Sequence, residues 1–200
     1  MLDAKLRPLI DPMLNRIGRV FAGLGIGANA VTLAGIGLGL AAGIAIAQGH
    51  MLAGLALIIA NRLLDGLDGA VARATGLTDF GGYLDIVADF FFYVAVPVGF
   101  AFATDANHLP AVLLLATFAL TGTSFLAFAT MAAKRGLETT AHGRKSFFYN
   151  TGLAEGTETI AAFVLMCLWP AHFSMIAIIF AAACVVTVIQ RSLTAWEQFR

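Results

Sequence analysis

The sequence predicts an all-α polytopic membrane protein with six transmembrane helices and an N-terminal cytosolic interfacial helix. Hydrophobic residues make up 60% of the 200 residues, and charged residues only 12%. The mean hydropathy of +0.86 lies outside the range of soluble globular proteins. Helices are expected because a backbone segment exposed to lipid must satisfy its own hydrogen bonds.

Residues 1–29 are predicted to form an amphipathic juxtamembrane segment. Apolar residues such as Leu14, Ile17 and Phe21 recur at helical spacing, opposite basic residues such as Arg16 and Arg19. This pattern is typical of a helix that lies in a membrane interface, and a positively charged anchor with no other role explains it equally well. The first thirty residues show no apolar core followed by a small-residue cleavage site, so we expect no removable signal peptide.

Residues 30–200 are predicted to form one six-helix domain, because six segments are long and apolar enough to cross a hydrocarbon core about 30 Å thick. The predicted crossings are residues 30–48, 52–73, 82–104, 110–133, 155–171 and 173–194. In the first crossing, Gly35, Gly39 and Gly43 follow one another at four-residue spacing. This stripe allows close approach of another helix, either within the monomer or across a dimer.

The basic residues predict the orientation of the chain. When the six segments are threaded alternately, eleven of the twelve Lys and Arg residues fall on one side of the membrane or at its boundary, and the exception is Arg62. By the positive-inside rule both termini are cytosolic, in a cytoplasmic (inner) membrane. The formal net charge of zero gives no indication of nucleic-acid binding.

Four aspartates interrupt the second and third predicted crossings. A carboxylate near the centre of a bilayer costs about 2.5 to 3.5 kcal/mol, so four of them require a compensating cation or a functional cavity. Asp65 and Asp68 are spaced i, i+3, and Asp85 and Asp89 i, i+4, so each pair lies on one helix face. From the helix rise, both pairs lie at matching depths within about 12 Å of the cytosolic boundary.

Four converging carboxylates predict a site for hard divalent cations such as Mg²⁺ or Mn²⁺, with room for two ions. Paired metals of this kind serve phosphoryl transfer. Gly69 and either Gly81 or Gly82 leave space for a substrate, and Arg73 offers a planar fork for phosphate oxygens near the water interface. Arg62 is predicted to act as a counter-ion that holds the carboxylates in register, in preference to a substrate contact.

The aspartates belong to a longer pattern that resembles the signature of the CDP-alcohol phosphotransferases (CDP-alcohol phosphatidyltransferases). It reads Asp65-x-x-Asp68-Gly69-x-x-Ala72-Arg73, then Gly81-x-x-x-Asp85-x-x-x-Asp89. One departure is visible, because seven residues, 74–80, separate the arginine from the next glycine where the family usually has eight. The departure leaves open whether Gly81 or Gly82 fills the family's glycine position.

The resemblance implies a fold and a reaction. The family has a short cytosolic N-terminal helix, six crossings and frequent homodimers. The reaction implied is attack by an alcohol hydroxyl on the phosphorus of a CDP-linked lipid donor, usually CDP-diacylglycerol, with release of CMP in phospholipid biosynthesis. The roles implied are metal ligation by Asp65, Asp68 and Asp85, general-base catalysis by Asp89 at the edge of the metal site, and binding of the CDP moiety by Gly69, Arg73 and Gly81.

The acceptor alcohol is poorly specified by the sequence. An anionic acceptor such as glycerol phosphate or inositol phosphate would suit the basic residues after the fourth crossing, although the positive-inside rule predicts basic residues there in any case. These weak candidates are Lys134, Arg135, Arg144 and Lys145. Glu155 and Glu158, which begin the fifth crossing, would instead suit a cationic or polyhydroxyl acceptor, or only the dipole of that helix.

Two other classes of protein are compatible with intramembrane carboxylates. A proton- or cation-coupled transporter uses such groups as relays. Against it, the acids lie near one face in a single helix pair, and the sequence shows no repeated half with a broken helix. A membrane protein that binds lipid or metal without turnover is the third hypothesis, and the intact acidic set disfavours it.

Overall fold

The computed structural model describes residues 3–136 and 152–200, and within these ranges the chain forms seven α-helices and no strands. The helices are α1 Asp3–Gly23, α2 Ala28–Ala47, α3 Met51–Thr75, α4 Asp79–Ala103, α5 His108–Lys134, α6 Gly156–Leu168 and α7 Phe173–Phe199. Single 3₁₀ turns precede α5 and α7. The all-α prediction is confirmed for the described residues.

Helices α2 to α7 coincide with the six predicted crossings, but they do not all have the character of a membrane span. Among the described residues, four helices are long and apolar enough to cross, namely α2, α4, α5 and α7. Helix α3 has the length but carries the charged residues of the signature. Helix α6 has 13 residues, or about 20 Å of rise against a core of about 30 Å. Crossing by α3 and α6 therefore stays a prediction.

The glycine stripe of α2 packs inside the monomer. An added Cβ on Gly43 would lie 2.5 Å from the carbonyl oxygen of Ala95 in α4, so the two helices touch backbone to backbone there. Gly35 and Gly39 face Asn61 of α3, whose side-chain nitrogen would lie 3.8 and 3.4 Å from a Cβ at these positions. Of the two possibilities left open by the sequence, the structure shows contact within one chain.

Aromatic side chains fill the core between α4, α5, α6 and α7. The ring of Phe92 contacts that of Phe163 edge to face at 5.6 Å, and Phe100 stacks on Phe173 at 4.5 Å. All four rings are almost completely buried. This core holds α4 in place, and α4 carries two of the four aspartates.

Helix α1 packs on the last turns of α3. An added Cβ on Gly18 would lie 2.8 Å from the backbone of Ala70, and one on Gly66 would lie 2.7 Å from the side chain of Leu14. The opposite face of α1 exposes apolar side chains, including Val20. The predicted helix is confirmed, whereas its position in a membrane interface and the domain division at residue 29 stay predictions.

The ends of several helices meet at one end of the bundle. Arg135, just after α5, donates hydrogen bonds to the carbonyl oxygens of Gln198 and Phe199 at the end of α7. A cavity of about 380 Å³ there joins the first turns of α4, at Asp79, to Leu126 of α5. The arrangement agrees with alternate threading, and the side of the membrane that this end faces stays a prediction.

Candidate active site

A short turn brings the two acidic helices together. Helix α3 ends at Thr75, and Gly76 follows with a φ of 108°, a left-handed conformation that favours glycine. Thr78 then caps α4, because its Oγ1 accepts a hydrogen bond from the backbone N–H of Gly81 at 3.0 Å. The turn directs α4 back along α3, so the two antiparallel helices face each other through side chains such as Arg62 and Asp89 while both pack on α2.

The four aspartates lie within electrostatic range of one another. Asp65 interacts with Asp89, Asp85 and Asp68, and Asp68 also interacts with Asp85 and Asp89. Asp68 is buried and Asp85 is exposed, while the side chains of Asp65 and Asp89 are 37% and 34% exposed. The set therefore runs from the bundle interior to a surface that a substrate can reach.

Arg62 joins the two halves of this set. Its Nη1 lies 2.8 Å from Oδ1 of Asp89 on α4 and 3.7 Å from Oδ1 of Asp65 on its own helix. The side chain of Arg62 is only 13% exposed. The contacts agree with the predicted role as a counter-ion between the carboxylates.

Asn61 holds Arg62, a role that the sequence did not reveal. Its Oδ1 accepts hydrogen bonds from Nε and Nη2 of Arg62 at 2.8 and 2.6 Å. Its Nδ2 donates to the carbonyl oxygen of Gly35 in α2 at 2.7 Å. The available signal was a polar amide inside an apolar segment, directly before an arginine.

Thr32 of α2 is a second neighbour that the sequence did not reveal. Its Oγ1 lies 2.7 Å from Oδ2 of Asp68 and 3.1 Å from the carbonyl oxygen of Ala28. A threonine in an apolar helix ordinarily bonds the carbonyl four residues before it, so its presence does not indicate a ligand site. The contact with Asp68 shows that α2 also forms part of the acidic site.

The chemistry of the donor set fits a hard divalent cation, since all four ligand candidates are carboxylates. Among the described residues, no three acidic, His or Cys side chains already converge as a metal-ligand group. Repulsion between the negative charges opposes a closer approach of the carboxylates. Arg62 contacts one oxygen of Asp89, and Thr32 contacts one oxygen of Asp68. Each of these two carboxylates has a second oxygen, so the set retains donors for a cation.

The candidate residues for the CDP moiety lie at the ends of the same two helices. Nη1 of Arg73 would lie 3.3 Å from a Cβ on Gly69, so these two residues adjoin. Nε and Nη2 of Arg73 donate to Oδ1 of Asn15 in α1, at 3.1 and 2.9 Å. A Cβ on Gly81 would lie 2.9 Å from Oγ1 of Thr78. The close contact with the N-cap residue of α4 explains a glycine at this position without a substrate.

A family model described as CDP-alcohol phosphatidyltransferase matches residues 26–189. The chain belongs to this family. It is 50% identical over 192 residues to the inner membrane protein YnjF of Escherichia coli (strain K12), covering 96% of this chain and 93% of that protein. It is 43% identical over 88 residues to an archaetidylinositol phosphate synthase of Pyrococcus horikoshii, covering 43% of this chain and 46% of that protein.

Solved structures of the phosphatidylinositol phosphate synthase of Mycobacterium tuberculosis share the fold. The complex with manganese and citrate has a TM-score of 0.71, with 24% identity, and covers 92% of this chain and 88% of that one. The form with CDP-DAG bound has a TM-score of 0.70, with 24% identity, over 92% of this chain and 94% of that one. Membership of the CDP-alcohol phosphatidyltransferase family favours a transferase over the transporter considered from the sequence.

The candidate acceptor residues of this phosphatidyltransferase fold are only partly brought together. Lys134 is exposed at the end of α5. Arg135 adjoins it, but its guanidinium contacts the last carbonyls of α7. Arg144 and Lys145 lie outside the described residues. Glu155 is buried, and its Oε1 accepts a hydrogen bond from the backbone N–H of Gly152 at 2.9 Å, which gives it a structural role.

Proposed function

We propose that this chain is an integral-membrane transferase of phospholipid biosynthesis. It moves a phosphatidyl group from a CDP-linked lipid, CDP-diacylglycerol, to an alcohol hydroxyl and releases CMP. The observation that carries the proposal is the antiparallel pair α3 and α4, whose four aspartates interact with one another in a member of this family. The structure with CDP-DAG bound, which shares the fold, supports the choice of donor.

Asp65, Asp68 and Asp85 are the proposed ligands of one or two Mg²⁺ or Mn²⁺ ions, with Asp89 at their edge. The support is an oxygen-only donor set and the manganese in the solved complex of the related fold. When bound, such ions neutralise phosphate oxygens and make CMP a better leaving group.

Asp89 is the proposed general base. As the acceptor oxygen forms its bond to phosphorus, the bond from phosphorus to CMP breaks and the hydroxyl proton passes to the carboxylate of Asp89. Nη1 of Arg62 contacts Oδ1 of this carboxylate, so we assign the proton to Oδ2. Asp89 is also partly exposed, which an alcohol that enters from water requires.

Gly69, Arg73 and Gly81 are the proposed contacts of the CDP moiety. The exposed guanidinium of Arg73 lies beside Gly69, and a planar fork of this kind binds phosphate oxygens through two parallel hydrogen bonds. Lys134, Arg135, Arg144 and Lys145 are proposed to attract an anionic acceptor. We further propose that the chain works as a homodimer in a cytoplasmic membrane, with both termini and the active site on the cytosolic side.

The test measures release of CMP by the purified protein in detergent. CDP-diacylglycerol is supplied with Mg²⁺ or Mn²⁺ and with one acceptor at a time: glycerol phosphate, inositol phosphate, free inositol or serine. We expect release with one acceptor and none after chelation of the metal. Absence of release with every acceptor in either metal, from protein that melts cooperatively, would contradict the proposal.

A further inference from the structure

Asn61 and Arg62 together link three helices, and we call these two residues the brace. The chain of contacts runs from the carbonyl oxygen of Gly35 in α2 through the brace in α3 to Asp89 in α4. We propose that the brace positions Asp89 for proton transfer and also weakens the binding of divalent cations by the aspartates. This inference rests on the proposed function.

The positioning part follows from the geometry of the guanidinium. Two of its nitrogens share Oδ1 of Asn61 at 2.8 and 2.6 Å, and the third lies 2.8 Å from Oδ1 of Asp89. The ring of Phe92 lies 4.0 Å from the guanidinium carbon and covers one face. A planar group held on two edges and one face has a fixed orientation, so it fixes the carboxylate that it contacts.

The charge part follows from the same contacts. Arg62 is a largely buried positive charge, 13% exposed, within 2.8 and 3.7 Å of carboxylate oxygens on both acidic helices. A cation bound by these aspartates is repelled by it and competes with it for Oδ1 of Asp89. Removal of the guanidinium charge should therefore strengthen cation binding, while loss of its hydrogen bond should impair turnover.

These opposite effects separate the proposal from a purely structural role. A counter-ion that only held the helices together would, on removal, loosen the aspartates and weaken both cation binding and turnover. A brace with the proposed roles changes them in opposite directions. The decisive variant is Arg62→Met, which keeps much of the side-chain volume and removes both the charge and the hydrogen bonds.

Two quantities are measured on each purified variant in detergent: the Kd for Mn²⁺, from electron paramagnetic resonance of the free ion, and kcat for CMP release at saturating Mn²⁺. For Arg62→Met we expect Kd to fall by about tenfold, because a like charge has been removed from the site. We expect kcat to fall by about 100-fold, the size of effect produced by a misplaced catalytic group.

Two further variants separate charge from positioning. Arg62→Lys keeps the charge, so Kd should stay near that of the wild type, while kcat should remain low because one ammonium cannot reproduce the planar fork. Asn61→Ala keeps the charge of Arg62 and removes the oxygen that accepts its Nε and Nη2 hydrogen bonds. Here too, Kd should stay near that of the wild type and kcat should be low. Arg19→Met, which removes an exposed positive charge of α1, is the control and should change neither quantity.

An Arg62→Met protein with wild-type kcat would overturn the positioning role, and one whose Kd is not below that of the wild type would overturn the charge role. If Arg62→Met does not fold, wild-type kcat in Arg62→Lys and Asn61→Ala overturns the positioning role. A Kd below that of the wild type in Arg62→Lys, which keeps the positive charge, overturns the charge role. If the wild type releases no CMP, the proposed function is wrong, yet the Mn²⁺ measurements still decide whether Arg62 weakens cation binding.

Discussion

The acidic end of the bundle and its aromatic core are stabilised by different means. At the acidic end, side chains meet through hydrogen bonds between charged or polar groups, as in Thr32 with Asp68 and Arg73 with Asn15. In the core, aromatic rings contact one another, and the backbones of α2 and α4 contact each other directly where Gly43 meets Ala95. Substitutions in the core should therefore act on stability. At the acidic end, substitutions of substrate-facing residues should act on turnover, and substitutions of buried hydrogen-bonded residues on stability.

The largest expected effect is on turnover, from Asp89→Asn. Loss of the proposed general base should lower kcat by about 100- to 10,000-fold, while the melting temperature in detergent and the binding of CDP-diacylglycerol change little. Asp105→Asn is the matched control, because Asp105 is fully exposed at the far end of α4. Loss of cooperative melting in Asp89→Asn would assign Asp89 a structural role instead.

The next effect is on stability, from Gly43→Ala in the core. The added methyl group would lie 2.5 Å from the carbonyl oxygen of Ala95, so α2 and α4 must separate. We expect the free energy of unfolding to fall by up to about 3 kcal/mol, read as a lower melting temperature, while kcat below that temperature is retained. Gly37→Ala on the same helix has no atom within 4 Å and should not lower it. Equal melting of both variants would contradict the packing argument.

A smaller effect is expected where the two regions meet, from Thr32→Val. This change keeps the shape of the side chain but removes the hydrogen bond to the buried Asp68. The expected loss is about 2 kcal/mol in the free energy of unfolding, since the bond involves a charged group. Thr130→Val removes only a bond within an exposed turn of α5 and should cost less. The melting temperatures of the two variants, each compared with that of the wild type, measure these two losses of stability.

The smallest effect is expected from Arg73→Lys at the open edge of the acidic end. An ammonium cannot bind phosphate oxygens as a planar fork, so the KM for CDP-diacylglycerol should rise by about fivefold with little change in kcat. Initial rates of CMP release at varied donor concentration measure both. An unchanged KM would remove Arg73 from the donor site.

The sequence predicted the positions of the helices closely. The length of an apolar segment, and the Gly and charged residues that end it, are local properties that can be read from the sequence. The helix predicted over residues 52–73, for instance, appears as Met51–Thr75, while its crossing of a membrane stays a prediction. The approach of α1 to α3 at Gly18 and Ala70 could not be predicted, since single small residues give no periodic signal. Pairing of such surfaces depends on shape in three dimensions.

The approach of the four aspartates to one another was predictable from the sequence, whereas the side chains around them were not, and their role as metal ligands stays a prediction. Helix spacing places Asp65, Asp68, Asp85 and Asp89 on facing surfaces, and the structure brings them into mutual range. The partners Thr32 and Asn15 come from other helices, so no spacing within α3 or α4 indicates them.

The turn of three residues between α3 and α4 also bears on how the chain enters a membrane. Helix α3 alone would bring Arg62 and two aspartates into lipid, and each isolated charge costs about 2.5 to 3.5 kcal/mol there. The turn at Gly76 leads directly into α4, and both helices pack on the earlier α2, so Arg62 can meet Asp89 without any later helix. If α3 crosses the membrane as predicted, we therefore expect it to insert together with α4, as one hairpin.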